Sequence, residues 1–331
     1  MKRIPTLIDC DTGIDDAMAM VLACASNRLD IRGVTAAAGN VELKYTLNNT
    51  LNVMNLLGYG HVPVAAGAEK PLERDLLIAD YVHGKDGLRG YHFETDTKAA
   101  MTGQPAWDLM RDVILASEEK VQILALAPLT NIAILLEKYP EVKSNIDRIV
   151  FMGASVRTGN PTPITTFNVL VDPEAYRQVI FSGIPFHAVP LDTTREAYLT
   201  AGEVEAICHM DNPVARMVAG IISGYGSASV EKVEGEEENQ ELKAGKRRFK
   251  GVVRLHDPAT VAYAIAPELF TGNWYYGDVE CRGELTTGYT FFDMEDYYGK
   301  PEEEKNVYLV ETVDREAFVD LFLNAVRSYN R

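Results

Sequence analysis

Four aspartates, Asp9, Asp11, Asp15 and Asp16, stand within eight positions of the segment TLIDCDTGIDDAMAMVLACA near the start of the chain. Like charges packed this closely are costly unless a cation or a proton is shared among them. Two of the four have a local explanation. A strand passing through Gly13 into a helix puts Asp15 and Asp16 in the first helical turn, where the dipole favours each by ~0.3–1 kcal/mol and either could cap the helix. That leaves Asp9 and Asp11 at the end of a buried strand with no compensating Lys or Arg nearby in sequence. Convergent carboxylates offering only oxygen point to a hard cation, Ca²⁺ or Mg²⁺, rather than zinc.

The elements that must position these acids are legible in the hydrophobic pattern. Short apolar runs at 6–9, 31–39, 62–67, 121–127, 148–153 and 185–190 read as buried strands. Between them, 15–27, 43–58, 105–118, 129–139 and 173–182 carry apolar residues at helical spacing, and 314–329 closes the chain as an amphipathic helix. Alternation of this kind predicts an α/β fold, one domain over 1–331 built on an open, mostly parallel sheet with helices on both faces. In such sheets ligands bind outside the carboxyl ends of the strands. The polar signals gather there: Asp9 to Asp16 after the first strand, Gly39-Asn40 after the second, APLTN after the fourth and MGASVRTGN after the fifth.

Composition bounds the function. The 331 residues are 47% hydrophobic, enough for a large core, and the formal net charge of −16 argues against nucleic acid or an anionic membrane as partner. Cys10, Cys24, Cys208 and Cys281 are widely spaced, so reduced thiols are expected rather than a disulfide framework or a zinc site. No apolar run approaches the ~20 residues that would cross a bilayer, and the stretch before Asp9 is too short for a signal-peptide core. A soluble, cytoplasmic protein is the expectation. One compositional break stands out, acids followed by bases over 230–251. It reads either as a solvated loop or exposed helix, or as a mobile flap over 225–251 beside the site.

Hydrophobic-D-x-D at Asp9 and Asp11 is similar to the haloacid-dehalogenase-like phosphatases, with Asp9 as nucleophile of a metal-dependent phosphohydrolase. That pattern wants Thr or Val where Gly13 stands, and it gives Asp15 and Asp16 no role. A broader resemblance covers nearly the whole chain. DCDTGIDDA resembles the D-T-D-P-G-x-D-D-A signature of the inosine–uridine-preferring nucleoside hydrolases. LAPLTNIA (126–133), FMGASVRTGNPTPITTFNVLVDPEA (151–175), HGKDGL (83–88) and LHDP (255–258) resemble further family blocks, in family order.

The resemblance implies a Rossmann-like nucleoside hydrolase fold, a dimer or tetramer, a role in nucleoside salvage, and Ca²⁺-dependent hydrolysis of a ribonucleoside to ribose and free base. It implies Asp11, Asp16, Asp257 and the carbonyl of Leu126 as metal ligands, with Asp11 also the general base on water. Asp15 and Asn168 match contacts to the ribose hydroxyls, Asn160 a contact near the 5′ end, and Met152 falls within the same block. Asn40 is expected to support the site or contact water, and Asp9 to orient the other acids. His256, beside Asp257, could protonate the departing base, with His83 and Tyr225 near that base. The chemistry is coherent in itself: a hard cation can fix a vicinal diol and lower the pKa of water, and carboxylates stabilise an oxocarbenium-like transition state.

The chain also departs from that family's pattern. Thr12 replaces a proline, Ala127 and Ala154 replace glycines, and Thr166 stands in TTFN where the family has the Glu of E-F-N. Loss of that Glu removes a charge-assisted hydrogen bond of ~1.5–3 kcal/mol to the 5′-hydroxyl, and removes repulsion against an anion there. A substrate altered at its 5′ end, phosphorylated or deoxy, is the expectation from Thr166, with Arg157 and Arg195 as candidate phosphate contacts. A purine sandwich between tryptophans is not indicated, since only Trp107 and Trp274 exist.

Overall fold

The computed structural model describes residues 2–94, 96–97, 100–225 and 251–329. The expected flap at 225–251 therefore lies almost wholly outside the described residues, as does the side chain of Tyr225. Twelve strands occur among the described residues: β1 (Ile4–Cys10), β2 (Leu29–Ala36), β3 (Val64–Ala66), β4 (Val121–Ala125), β5 (Ile146–Met152), β6 (Phe186–Val189), β7 (Tyr198–Thr200), β8 (Val252–Arg254), β9 (Phe270–Tyr275), β10 (Gly277–Val279), β11 (Thr290–Phe292) and β12 (Val307–Val313). Eight of them form one sheet in the order β3-β2-β1-β4-β5-β6-β12-β9, parallel throughout except for β9. The first six strands follow the doubly wound order 3-2-1-4-5-6, so the crossovers reverse direction between β1 and β4. All six strands expected from sequence are present, with ends shifted by a few residues.

The helices are α1 (Ile14–Ala25), α2 (Leu43–Leu56), α3 (Asp80–His83), α4 (Ala106–Ala116), α5 (Thr130–Lys138), α6 (Phe167–Val171), α7 (Pro173–Ile180), α8 (Leu191–Thr194), α9 (Ala201–Cys208), α10 (Pro213–Tyr225), α11 (His256–Ile265) and α12 (Arg315–Arg327). None of them is long and apolar enough to cross a membrane.

Helix α1 explains the firmness of the site. Ten of its twelve residues are buried, from Ile14 to Cys24, because it packs between the sheet and helices α11, α12 and α2. A helix apolar on every side belongs inside, and here small residues, Ala17, Ala19 and Ala23, let its neighbours approach. Its N-cap is Gly13, not an aspartate. Asp16 instead occupies the third helical position and reaches back to accept from the Gly13 amide at 3.0 Å, half of a capping box.

Candidate active site

At the carboxyl ends of β1 and β4, where the topology reverses, the chain builds a cavity of about 430 Å³. Its wall includes Asp15, Asn40, His83, Leu126, Met152, Asn160, Thr166, Asn168, His256 and Asp257, ten residues singled out from the sequence. They arrive from strand ends, loops and helix starts spread over the chain. Asp11 and Asp16 lie just beneath, buried to within 1% of full exclusion.

Two helix N-termini supply the acids. Asp15 and Asp16 stand in the first turn of α1 and Asp257 in the first turn of α11, and the two helices pack against each other. Carboxylate oxygens of Asp15, Asp16 and Asp257 come within 4.8 Å of one another, a spacing that could hold a metal ion. The helix dipoles offset part of the repulsion, since both positive ends face the cluster. The rest remains. Burial, then Asp15, Asp16 and Asp11, hold Asp257 well above the usual carboxylate range. Burial and Asp16 push Asp15 up to about 7. Asp16 rises to about 6 through burial, restrained by the amides it accepts from.

Asp11 is the best-positioned acid for chemistry. Its Oδ2 accepts from the Asn40 amide at 2.6 Å, while its Oδ1 is buried with no hydrogen-bond partner. An orphaned carboxylate oxygen beside Asp16 is strongly disfavoured as an anion, and burial followed by Asp16 raises its pKa well above normal. The donor set, all carboxylate with the Leu126 carbonyl in the same wall, fits a hard divalent cation. Asn40 braces the floor, donating from Nδ2 to the Asp11 carbonyl at 3.1 Å and to Asp16 Oδ2 at 3.0 Å. Gly39 has no room for a side chain here, because a Cβ would overlap Asp11 Oδ2.

Asp9 is wholly buried, and its Oδ1 accepts from Thr35 at 2.6 Å and from Asn131 Nδ2 at 2.8 Å, while its Oδ2 is buried with no hydrogen-bond partner. It ties β1 to β2 and to the start of α5, and Asp16 is among the groups that raise its pKa. Like Asp11, it lies beneath the cavity rather than in its wall. Asn131 escaped the sequence reading. Its only signal was its place in the LTN turn after a buried strand.

The histidines are fixed rather than solvated. His83 Nδ1 accepts from the Ile14 amide at 3.2 Å, which puts its proton on Nε2. Burial and Arg89 lower its pKa to about 3. His256 Nδ1 meets Thr194 Oγ1 at 2.7 Å, and burial, then Arg254, Arg195 and His83, lower it to about 3 as well. Both are neutral imidazoles at pH 7.

On the opposite wall, Asn168 donates from Nδ2 to the carbonyls of Leu126 at 2.7 Å and Met152 at 3.0 Å, tying β4 to β5 at the floor. Asn160 Oδ1 accepts from the Phe167 amide at 3.0 Å. Thr166 is explained by its neighbour. Its Oγ1 accepts from the amide of Ala154, which sits at φ 76 in the left-handed region. Thr12 is similarly used, its hydroxyl bonded to Thr50 Oγ1 at 2.7 Å in α2. Arg195 lines the cavity whereas Arg157 does not. Tyr81, Leu191 and Arg254 also line the wall, and no sequence motif marked them.

A doubly wound sheet carries a switch-point cavity beside an acidic cluster that could hold a metal ion. The chain belongs to the inosine-uridine preferring nucleoside hydrolase family, whose profile matches residues 6–320. It is thus an enzyme that hydrolyses N-glycosidic bonds of ribonucleosides. It is 40% identical over 326 residues to the pyrimidine-specific ribonucleoside hydrolase RihA of Klebsiella pneumoniae (strain 342), covering 98% of this chain and 99% of that protein. RihA of Shewanella woodyi is 38% identical over 327 residues, 99% of each chain. Among solved structures, a plant nucleoside hydrolase, PpNRh1, superposes with a TM-score of 0.87 at 27% identity, over 99% of this chain and 100% of that one. A purine-preferring ribonucleoside hydrolase from Gardnerella vaginalis gives 0.85 at 26%, over 98% of each chain.

Proposed function

We propose that the protein hydrolyses pyrimidine ribonucleosides in a Ca²⁺-dependent reaction with Asp11 as general base. The observation that carries the proposal is Asp11 Oδ1, buried and unpaired beside the Asp15, Asp16 and Asp257 cluster. Ca²⁺ in that cluster would supply the charge that keeps the carboxylates ionised, a grip on the 2′,3′-diol and a lowered pKa for water. Asp11 Oδ1 takes the proton from the attacking water, while the Asn40 amide holds Oδ2 and so aims the carboxylate. Asp15 and the free Oδ1 of Asn168 accept from the ribose hydroxyls. As the C1′–N bond breaks, positive charge on the ribosyl ring faces this anionic floor. Negative charge on the departing base is met by the His256 imidazole, whose Nδ1 is held by the Thr194 hydroxyl, with His83 Nε2–H close by. The pyrimidine preference rests on the RihA relatives.

Base release from uridine and cytidine, followed by absorbance, tests the reading. Chelation should abolish it and Ca²⁺ restore it. Asp11→Asn should lower kcat by ~10²–10⁴, the range for losing a positioned general base, while ribose still binds. Wild-type turnover in Asp11→Asn would remove the general-base assignment.

A further inference from the structure

Three consecutive side chains of the short helix α8 reach three different parts of the molecule. Asp192 accepts from the amides of Val156 and Arg157, Oδ2 at 2.7 Å and Oδ1 at 3.1 Å, and so ties the helix to the loop after β5. The Thr193 hydroxyl donates to the Val310 carbonyl at 2.7 Å, in the middle of β12. Thr194, wholly excluded from solvent, has its Oγ1 2.7 Å from Nδ1 of His256, the first residue of α11. The two segments are also joined through the backbone. The Leu255 amide donates to the Ala197 carbonyl at 2.8 Å, and β7 pairs antiparallel with β8, Tyr198 opposite Arg254. Hydroxyl and imidazole are thus held to each other by elements that do not depend on their own bond.

A neutral imidazole carries one proton, and here the hydroxyl decides on which nitrogen. Either Thr194 donates to Nδ1, which puts the ring proton on Nε2, or Nδ1–H donates to Thr194 and the hydroxyl proton must go elsewhere. Among the described residues its other acceptor is the Leu191 carbonyl, one turn back. That contact is 3.5 Å long, and the carbonyl already receives the Arg195 amide at 2.9 Å. A bond of 3.5 Å is weak beside one of 2.7 Å, so the second arrangement leaves a buried hydroxyl proton poorly satisfied and the first does not. The ring lines the cavity, and with Nδ1 held by Thr194 its Nε2 is the nitrogen left for a substrate.

We infer that Thr194 is a positioning residue for departure of the base: it holds His256 as the Nε2–H tautomer, so that a neutral ring presents a hydrogen-bond donor to the leaving group. The inference rests on the hydrolase reading above and deepens it. As the water oxygen bonds to C1′, the C1′–N bond breaks and its electron pair stays on the base. Nε2–H donates to the atom where that charge gathers, as preorganised donors do for an oxyanion. The proton stays on His256 during cleavage, because a neutral imidazole that surrendered it would become an anion. The base takes its proton afterwards, from water. In the other tautomer Nε2 would turn a lone pair toward the same charge and repel it. Choice of tautomer therefore reverses the sign of the interaction with no change in the position or charge of the ring.

Nitrogen NMR of the isotope-labelled wild-type protein reads the tautomer directly. The His256 signals, assigned by their loss in His256→Gln, should show a proton on Nε2 and none on Nδ1. A proton on Nδ1 overturns the inference. Thr194→Val keeps the shape of the side chain and removes the hydroxyl. It should lower kcat for uridine at least tenfold with KM changed less than threefold. Turnover of p-nitrophenyl β-D-ribofuranoside, whose leaving group spreads its charge onto a nitro group, should fall less than threefold. Thr194→Ser should bring uridine turnover to within threefold of wild type. Equal loss on both substrates in Thr194→Val, no loss on uridine, or no rescue by serine overturns the inference and leaves the hydrolase reading intact. If the wild-type protein releases base from no nucleoside, the hydrolase reading itself fails, and the nitrogen spectrum alone decides how the hydroxyl holds the ring.

Discussion

The groove lined by Arg74, Glu174, Arg177 and Asp278 is larger than the cavity over Asp15 and Asp257, about 820 against about 430 Å³. Four of its six charged residues are paired two by two. Arg74 forks onto Glu174 at 2.6 and 2.8 Å, and Arg177 onto Asp278 at 2.9 and 3.1 Å. Those four satisfy one another, which is what a structural surface needs. In the smaller cavity four carboxylates converge, their pKa values are raised, and one oxygen of Asp11 bonds to nothing. Unbalanced charge, not volume, marks the place where chemistry happens.

The sharpest way to break this contrast is to neutralise the floor. Asp257→Asn should lower kcat/KM by ~10³ or more, since it takes a ligand from the cluster and leaves its partner Asp16 changed. Uridine turnover measures it, and a loss below tenfold would mean that the acids only support the fold.

The second test uses pH. Asp9 and Asp15 are raised from 3.8 to about 7, and Asp11 and Asp257 are raised well above their ordinary values by burial and then by neighbouring acids. The folded chain therefore holds protons that the unfolded chain has released, and stability falls as pH rises through the folded pKa. His83 and His256, lowered to about 3, work the opposite way, but only below 6.5. From pH 6.5 to 8 the carboxylates dominate. Chelated protein should lose Tm across that window by ~2–4 °C for each kcal/mol, and saturating Ca²⁺ should flatten the curve. The charge-paired groove predicts no such slope.

Arg177→Ala should cost about 1 kcal/mol or less in urea unfolding and leave turnover unchanged, because the Arg177 side chain is 57% exposed and solvent screens the pair. The smallest effect belongs to Ala154. An alanine at φ 76 is strained by ~1–2 kcal/mol, partly offset in a glycine variant by its freer unfolded chain. Ala154→Gly should stabilise by about 0.5–1 kcal/mol, read by the same unfolding curve.

How far the sequence carried can be judged residue by residue. The strand ends and the loops after them were legible, because buried parallel strands are continuous apolar runs and the polar residues at their ends have few other reasons to cluster. Gly13 as N-cap was not, since an acid at the third helical position and an acid at the cap look alike in sequence. The partners of Asp9 were not legible either, since Thr35 and Asn131 come from a distant strand and helix and only packing brings them to it.

By itself the sequence determined the doubly wound framework, the family and the acidic chemistry, since period and motif are local and survive without coordinates. Tertiary structure alone decided which charges are answered. It set Asp257 against Asp16 across two helices 241 positions apart in sequence and left Asp11 Oδ1 without a partner. Charge balance in a buried site depends on distances between elements remote in the chain, and no one-dimensional pattern records those distances.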